Sequence, residues 1–415
     1  MHFSSVFSLV VLGGMLLMPL SVVSAAKGKA APVAAAQSPQ LPVAPTVADT
    51  PVRLVLLRRA DAPPATGLPY YVEERPSEGV QGARLGVSDN NTTGVFMHQR
   101  FELTVRELSE GEEAALVFVA LVQQGFEHVL LDVGDDTLLK LASLPEAERT
   151  ILYDVGSQSD QVRTGLCRPN LLHLRLSESM EADALAQYLA ARRWNRFFLL
   201  RTSKADDARW GDAFLRAARR FGLKKVSEKV WDYAADDRRT PESEIPVLTQ
   251  GDDYDVLVVA DRDNQWADLL NYRTWSPKVV AGASGLSPHA WDFTLDNWGA
   301  IQLQRRFRSQ AGYWMSDRDY ASWLAVRALG EAALRTGNLQ RDGLLQYMRG
   351  PSFALAGFKG VPLSFRSWDG QLRQPVLLTD LRSVVAVAPV PGFLHATNTL
   401  DTLGYDAPES HCHAP

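Results

Sequence analysis

Residues 112–133 read EEAALVFVALVQQGFEHVLLDV. The stretch has an acidic start, then an apolar segment of helical length with Leu116, Val119, Ala120 and Gln123 near one face. Gly125 stops it, and a short run from His128 to Val133 follows. A glycine just past a periodic apolar segment is a helix C-terminal signal. A strand that is apolar at successive positions is one covered on both faces, as in a parallel sheet flanked by helices.

The same unit recurs on either side. Val52 to Leu57 (VRLVLL) is a strand of this kind, and a short helix holding Leu139 and Leu141 precedes another at Thr150 to Val155. After Leu171 to Leu176 the alternation restarts. Met180, Ala184, Leu185, Tyr188 and Leu189 fall at helical spacing before Arg196 to Arg201 (RFFLLR). Trp210, Phe214, Ala217, Ala218 and Phe221 form another apolar face, stopped by Gly222 ahead of Lys225 to Trp231. Asp255 to Ala260 (DVLVVA) and Lys278 to Ala281 complete the second set. A longer helix spans Arg318 to Thr336, with Trp323, Val326, Arg327 and Gly330 along one side and Gly337 as its cap. Two successive sets predict an α/β protein of two doubly wound parallel-sheet lobes joined by a hinge. Open parallel sheets bind ligands beyond the carboxyl ends of their strands, so two such lobes make a capture cleft.

With 415 residues, 46% of them hydrophobic and 22% charged, the chain has material for two cores. A net charge of −5 supplies no positive field to recruit nucleic acid. Val6 to Leu20 (VFSLVVLGGMLLMPL) is an apolar run of secretory length, shorter than the about 20 residues of a bilayer span. Val23 and Ala25 suit a small-residue cleavage site, so residues 1–25 are expected to be a signal peptide, although the start has no Lys or Arg. No Cys follows that would carry a lipid anchor. Lys27 to Thr50 is Ala/Pro-rich without aromatics, and residues 26–50 are expected to be a disordered linker.

Catalytic motifs are missing. There is no phosphate-binding loop, no dinucleotide fingerprint, no H-E-x-x-H and no nucleophile elbow; Gly282-Ala283-Ser284-Gly285-Leu286 ends in leucine where the elbow needs glycine. No enzymatic activity and no cofactor are expected. The acid pairs Asp135-Asp136, Asp206-Asp207 and Asp252-Asp253 suit helix starts and loops. Cys167 and Cys412 are the only cysteines, and an oxidising compartment leaves a disulfide open to them. His411, Cys412 and His413 offer soft-metal donors, with a free tail as the other reading. Trp210, Trp231, Trp266, Trp275, Trp291 and Trp298 concentrate in the second set, where they serve a core or line a cleft.

Several stretches, in order, resemble the type I periplasmic binding proteins of ABC importers, in particular the branched-chain amino acid branch. Gly82 to Asn91 (GARLGVSDNN) resembles that family's first helix and an asparagine-rich turn after it. Asp154-Val155-Gly156-Ser157 resembles the ligand loop with its small hydroxyl. Ala208-Arg209-Trp210-Gly211-Asp212 resembles the aromatic-Gly step of lobe two, and Tyr320 to Ala328 the helix returning to lobe one. Phe358 to Phe365 with Asp369-Gly370 resembles the closing hairpin. More narrowly, Leu378-Thr379-Asp380-Leu381-Arg382 and the His-Cys-His ending resemble the branch associated with pyrroloquinoline-quinone (PQQ)-dependent alcohol dehydrogenase systems.

The resemblance, which covers Val52 to Val385, implies a Venus-flytrap protein. Lobe one would be residues 51–173 and 307–357, lobe two 174–306 and 358–385, and 386–415 a C-terminal tail. It implies a periplasmic substrate-binding component with a permease partner and a link to a PQQ-dependent dehydrogenase. The positions it carries to a ligand are Asp135, Asp136, Gly156, Ser157, Gln158, Trp210, Asp261 and Ser284. The family's amino-acid binders use small hydroxyls for the carboxylate and an acid for the ammonium. Here Gly134, Asp135 and Asp136 follow the Leu130-Leu131 strand, and 279–286 holds no acid, so a solute other than an amino acid is expected. The alternatives are a branched-chain amino acid binder and a sensor or metal-handling accessory of the alcohol-oxidising system.

Overall fold

The computed structural model describes residues 49–59, 75, 77–165, 167–232, 241–263, 266–380 and 382–412. The expected signal peptide, the expected linker up to residue 48, and His413 lie outside the described residues.

The first half contains β1 (Thr50–Arg58), α1 (Val80–Met97), β2 (Gln99–Glu107), α2 (Ala114–Gln123), β3 (His128–Asp132) and α3 (Asp135–Ala142). It continues through β4 (Ile151–Asp154), α4 (Asp160–Gly165) and β5 (Leu171–His173). Then come α5 (Glu178–Ala191), β6 (Arg196–Arg201), α6 (Ala205–Arg220), β7 (Lys224–Val230), α7 (Pro241–Leu248), β8 (Val256–Ala260) and β9 (Val279–Gly282). The last part holds β10 (Ser287–His289), α8 (Ala300–Ala311), α9 (Asp317–Thr336), α10 (Arg341–Arg349) and β11 (Leu355–Ala356). β12 (Pro362–Phe365), β13 (Leu372–Arg373), β14 (Val376–Thr379) and β15 (Val384–Ala388) finish it.

Two all-parallel sheets result, ordered β2-β1-β3-β4-β5 and β7-β6-β8-β9. Their central strands are buried on both faces because alternate side chains feed separate cores. Leu54 and Leu56 of β1 enter one core and Val55 and Leu57 another. In β6, Phe197 and Leu199 join the first of these cores, whereas Phe198 and Leu200 join a third. The core shared by both sheets runs through α5 and α9 and ties the lobes into one unit, Val47–Pro415. Two small antiparallel sheets, β10-β14-β15 and β11-β12-β13, accompany them.

Four expectations are corrected. α2 docks through Ala114, Phe118 and Leu121, not through Leu116, which is 72% exposed. The helix is apolar on nearly every side, so periodicity could not choose its face, and the Phe118 ring took the core position. The asparagines at 90 and 91 continue α1 and form no turn. Asn90 donates to the Val326 carbonyl of α9 (2.8 Å), and Asn91 accepts from the Phe101 amide (2.7 Å). The region after 386 is no free tail. Asp401 is buried and accepts from Arg366 (2.9 Å) and Arg373 (2.8 Å), with Leu400 and Leu403 also buried. Cys412 closes a disulfide to Cys167, 245 residues away. That bond commits the sulfur expected as a metal ligand. His411 is exposed, and among the described residues no group of three or more His, Cys, Asp or Glu side chains could hold a metal.

α1 and α9 approach so closely that only glycine fits at the crossing. A β-carbon on Gly82 would lie 1.8 Å from the Asp319 carbonyl oxygen, and one on Gly330 2.2 Å from Asn90 Oδ1. Asp319 locks the pair. It closes a capping box with Ser316 and accepts from the Gly79 amide (2.7 Å). Gly82→Ala should therefore lower stability by about 3 kcal/mol in urea unfolding, whereas Gly251→Ala, with open space around it, should be close to neutral.

Candidate functional site

Both parallel sheets point their carboxyl ends at one cleft of about 1140 Å³. Its lining follows strand ends: Arg59 after β1, Gly134 and Asp135 after β3, Gly156 to Ser159 after β4, and Arg175 after β5. From the second sheet come Asp206 and Arg209 after β6, Asp261 and Arg262 after β8, and Ala283 after β9. A parallel sheet puts every such turn on the same edge, so two sheets set edge to edge concentrate loop chemistry between them.

The Gly156-Ser157 turn is held from below. Asp154 accepts from the Gly156 (3.2 Å) and Ser157 (2.9 Å) amides, and its other oxygen meets His173 Nδ1 at 2.7 Å. Arg163, also buried, donates to the Ser157 carbonyl (2.9 Å). Burial, followed by the Arg163 charge, pushes the His173 imidazole below its ordinary value despite Asp154. A β-carbon at Gly156 would meet Val133 backbone at 2.8 Å, so glycine is required there.

Polar contacts cross from one lobe to the other. Arg209 of α6 lies 3.6 Å from Asp135 at the start of α3, 3.4 Å from Glu178 and 2.8 Å from Asp206. Arg262 donates to Glu181 (2.8 Å) and also to the Gln158 side-chain oxygen. Arg175 donates to the same Gln158 oxygen (3.0 Å) and to the Gly156 carbonyl (3.2 Å).

Of the positions expected at a ligand, Asp135, Asp136, Gly156, Ser157, Gln158, Trp210 and Asp261 line the cleft. Several are already engaged there. The Ser157 hydroxyl donates to Asp135 (2.6 Å), and Asp261 accepts from the Trp266 (2.8 Å) and Ala267 (3.0 Å) amides. Trp210 is buried, stacks on Phe214 and donates to Glu181 (3.1 Å). Ser284 stands apart, donating to Asp268 (2.6 Å) at the edge of an adjoining chamber. Most second-lobe tryptophans are core; Trp275 and Trp298 are exposed. Sequence reasoning missed Arg59, Arg175, Arg209, Arg262 and Arg318. The usable signal was position, since Arg59, Arg175 and Arg262 stand one or two residues past a strand end.

Burial, then the neighbouring Asp160 charge, raises Glu178 from 4.5 to about 7, although Arg209 opposes the shift. The folded chain keeps this proton where the unfolded chain has lost it, so stability falls as pH rises from about 4.5 to 7. Glu178→Gln should leave stability near pH 4 unchanged. It should raise it by up to about 3 kcal/mol at pH 8 in denaturant titrations run at both pH values.

No protein-family model and no curated protein matches this sequence. Solved structures do match its fold. A branched-chain amino acid ABC transporter periplasmic ligand-binding protein from Burkholderia xenovorans shares 14% identity at a TM-score of 0.65, over 81% of this chain and 95% of that one. A leucine-, isoleucine-, valine-, threonine- and alanine-binding protein from Brucella ovis, in a closed conformation, shares 13% at 0.63, over 87% and 96%. A solute-binding protein of an R. palustris ABC transporter, in complex with benzoate, shares 12% at 0.57, over 80% and 93%. This chain has the two-lobed α/β fold of type I periplasmic binding proteins.

Proposed function

We propose that this protein is the periplasmic substrate-binding component of an ABC importer and captures a small solute between its lobes. The observation that carries this reading is the cleft itself. Two parallel sheets present their carboxyl edges to one cavity, crossed by contacts such as Arg209 to Asp135 that hold the lobes together. Hinge closure around a solute is the motion such an arrangement supports. A permease would then read the closed form.

The solute is not an amino acid in this reading. The Ser157 hydroxyl, the group suited to an α-carboxylate, is taken by Asp135, and Glu181 is taken by Arg262 and Trp210. The link to PQQ-dependent alcohol oxidation rests on the resemblance of residues 378–382 and of the chain ending. It makes PQQ and the acids formed from alcohols the first solutes to offer.

Thermal shift and small-angle scattering with PQQ, short aliphatic acids and leucine test the reading. One of the first two should raise the melting temperature and reduce the radius of gyration. A response to leucine alone would identify an amino acid binder, and none to any solute would count against capture. Arg209→Ala should weaken the responding solute roughly twofold to fivefold, since a half-exposed ion pair contributes about 0.5–1 kcal/mol to the closed form.

A further inference from the structure

The segment after β15 is anchored first beside the second sheet. α6 links β6 to β7, and α5 packs on α6 and leads into β6. Gln187 of α5 donates to the Thr402 carbonyl (3.3 Å), and the Gly404 amide donates to buried Asp183 of α5 (2.8 Å). Asp183 also meets Arg216 (3.3 Å) and Arg220 (2.8 Å) of α6, and both arginines donate to the Gly404 carbonyl (3.3 and 3.0 Å). Arg216 then lies 4.1 Å over the Tyr405 ring and pairs with Glu409 at 2.9 Å. The anchor is built around a buried carboxylate, and removing one partner from such a cluster is costly.

The other end belongs to the first sheet. Cys412 is bonded to Cys167, in the turn between α4 and the edge strand β5. α4 is the helix whose Arg163 holds the Ser157 (2.9 Å) and Ser159 (2.8 Å) carbonyls of the cleft-lining turn. Three residues lead from Glu409 to Cys412. A fully extended chain of that length reaches about 11 Å. α6 therefore cannot draw away from the α4–β5 turn beyond that reach unless Glu409 leaves Arg216. The opposite end of α6 carries Asp206 and Arg209 into the cleft, so a limit on this helix is a limit on one wall of the cleft.

We infer that residues 402–412 are a covalent strap between the lobes that restricts how far the cleft opens. The disulfide joins two parts of the molecule that hinge motion displaces against each other, and it adds a link to those the chain makes in passing from one sheet to the other. A restricted hinge leaves fewer open conformations to the unliganded protein, and a larger share of competent molecules tightens apparent affinity in proportion. This inference rests on the hinge motion of the solute-capture reading and adds the element that governs its range.

Single-molecule energy transfer on the unliganded protein tests it. Dyes are carried by ketone side chains at exposed Lys140 of α3 and exposed Gln250 ahead of β8, which leaves both cysteines available to pair. Wild type should show one narrow distance. Cys412→Ser should raise the ratio of open to closed molecules roughly tenfold. Glu409→Gln, which keeps the disulfide and loses one half-exposed ion pair, should raise it about twofold to fivefold. Circular dichroism at the same temperature separates opening from unfolding. If Cys412→Ser does not fold, a phosphine reductant acting on folded wild type through exposed Cys167 takes its place. Distances in Cys412→Ser or reduced protein that match wild type would overturn the strap, whatever happens to the melting temperature. Capture is judged by the same dyes with PQQ, short aliphatic acids and leucine. A distance that shortens with one of these would leave capture standing without the strap, and a distance fixed in every variant and with every solute would overturn both.

Discussion

Everything in the cleft depends on one constraint, the parallel pairing of strands. A parallel strand must be re-entered from its amino end, so each crossover returns over a face of the sheet and every strand finishes on the same edge. Nine strands in two sheets thus bring their following turns together. The residues that meet there are distant in sequence. Arg59, Asp135, Arg175 and Arg262 become neighbours only because β1, β3, β5 and β8 run the same way.

The second requirement is that two sheets behave as one molecule. A single hydrophobic core supplies this, fed by alternate residues of both β1 and β6 and by the buried faces of α5 and α9. The glycine crossing of α1 and α9 brings two helix backbones close enough for Asp319 to accept from the Gly79 amide. At the far end, Asp401 between Arg366 and Arg373, together with the Cys167–Cys412 bond, fixes the last residues to the body. An unpaired Asp401 buried at that depth would be costly, so the ion pairs and the packing of Leu400 and Leu403 depend on one another.

The alternation of strands and helices was legible because both elements announce themselves locally. Consecutive apolar residues in β1, β6 and β8 and helical spacing in α5, α6 and α9 each have one physical reading. What sequence could not show was choice among equal options. In α2 every side is apolar, and which face docks depends on the Phe118 ring and its neighbours across the sheet. The role of Asn90 depends on a helix that begins more than 200 residues later. The cleft was legible in outline, since turns after strands are where ligands bind. Its arginines were not, because a surface guanidinium and a cleft guanidinium look alike until a partner is counted. The arginines at 209 and 262 form ion pairs with carboxylates whereas the one at 175 bonds the Gly156 carbonyl and the Gln158 amide oxygen, a difference set by three-dimensional neighbours. The same holds for Ser157, whose hydroxyl resembles a ligand contact in sequence but is held by Asp135 in space.

The two lobes are proposed to close on a solute taken up between the carboxyl edges of their sheets. Single-molecule energy transfer measures this most directly, with one dye at a cysteine replacing exposed Lys140 on α3 and the other at a cysteine replacing exposed Arg219 on α6. Solute capture predicts a shorter distance when the small-molecule fraction of the producing cells is added, and its reversal on dialysis. A distance that stays constant across all such fractions would contradict it.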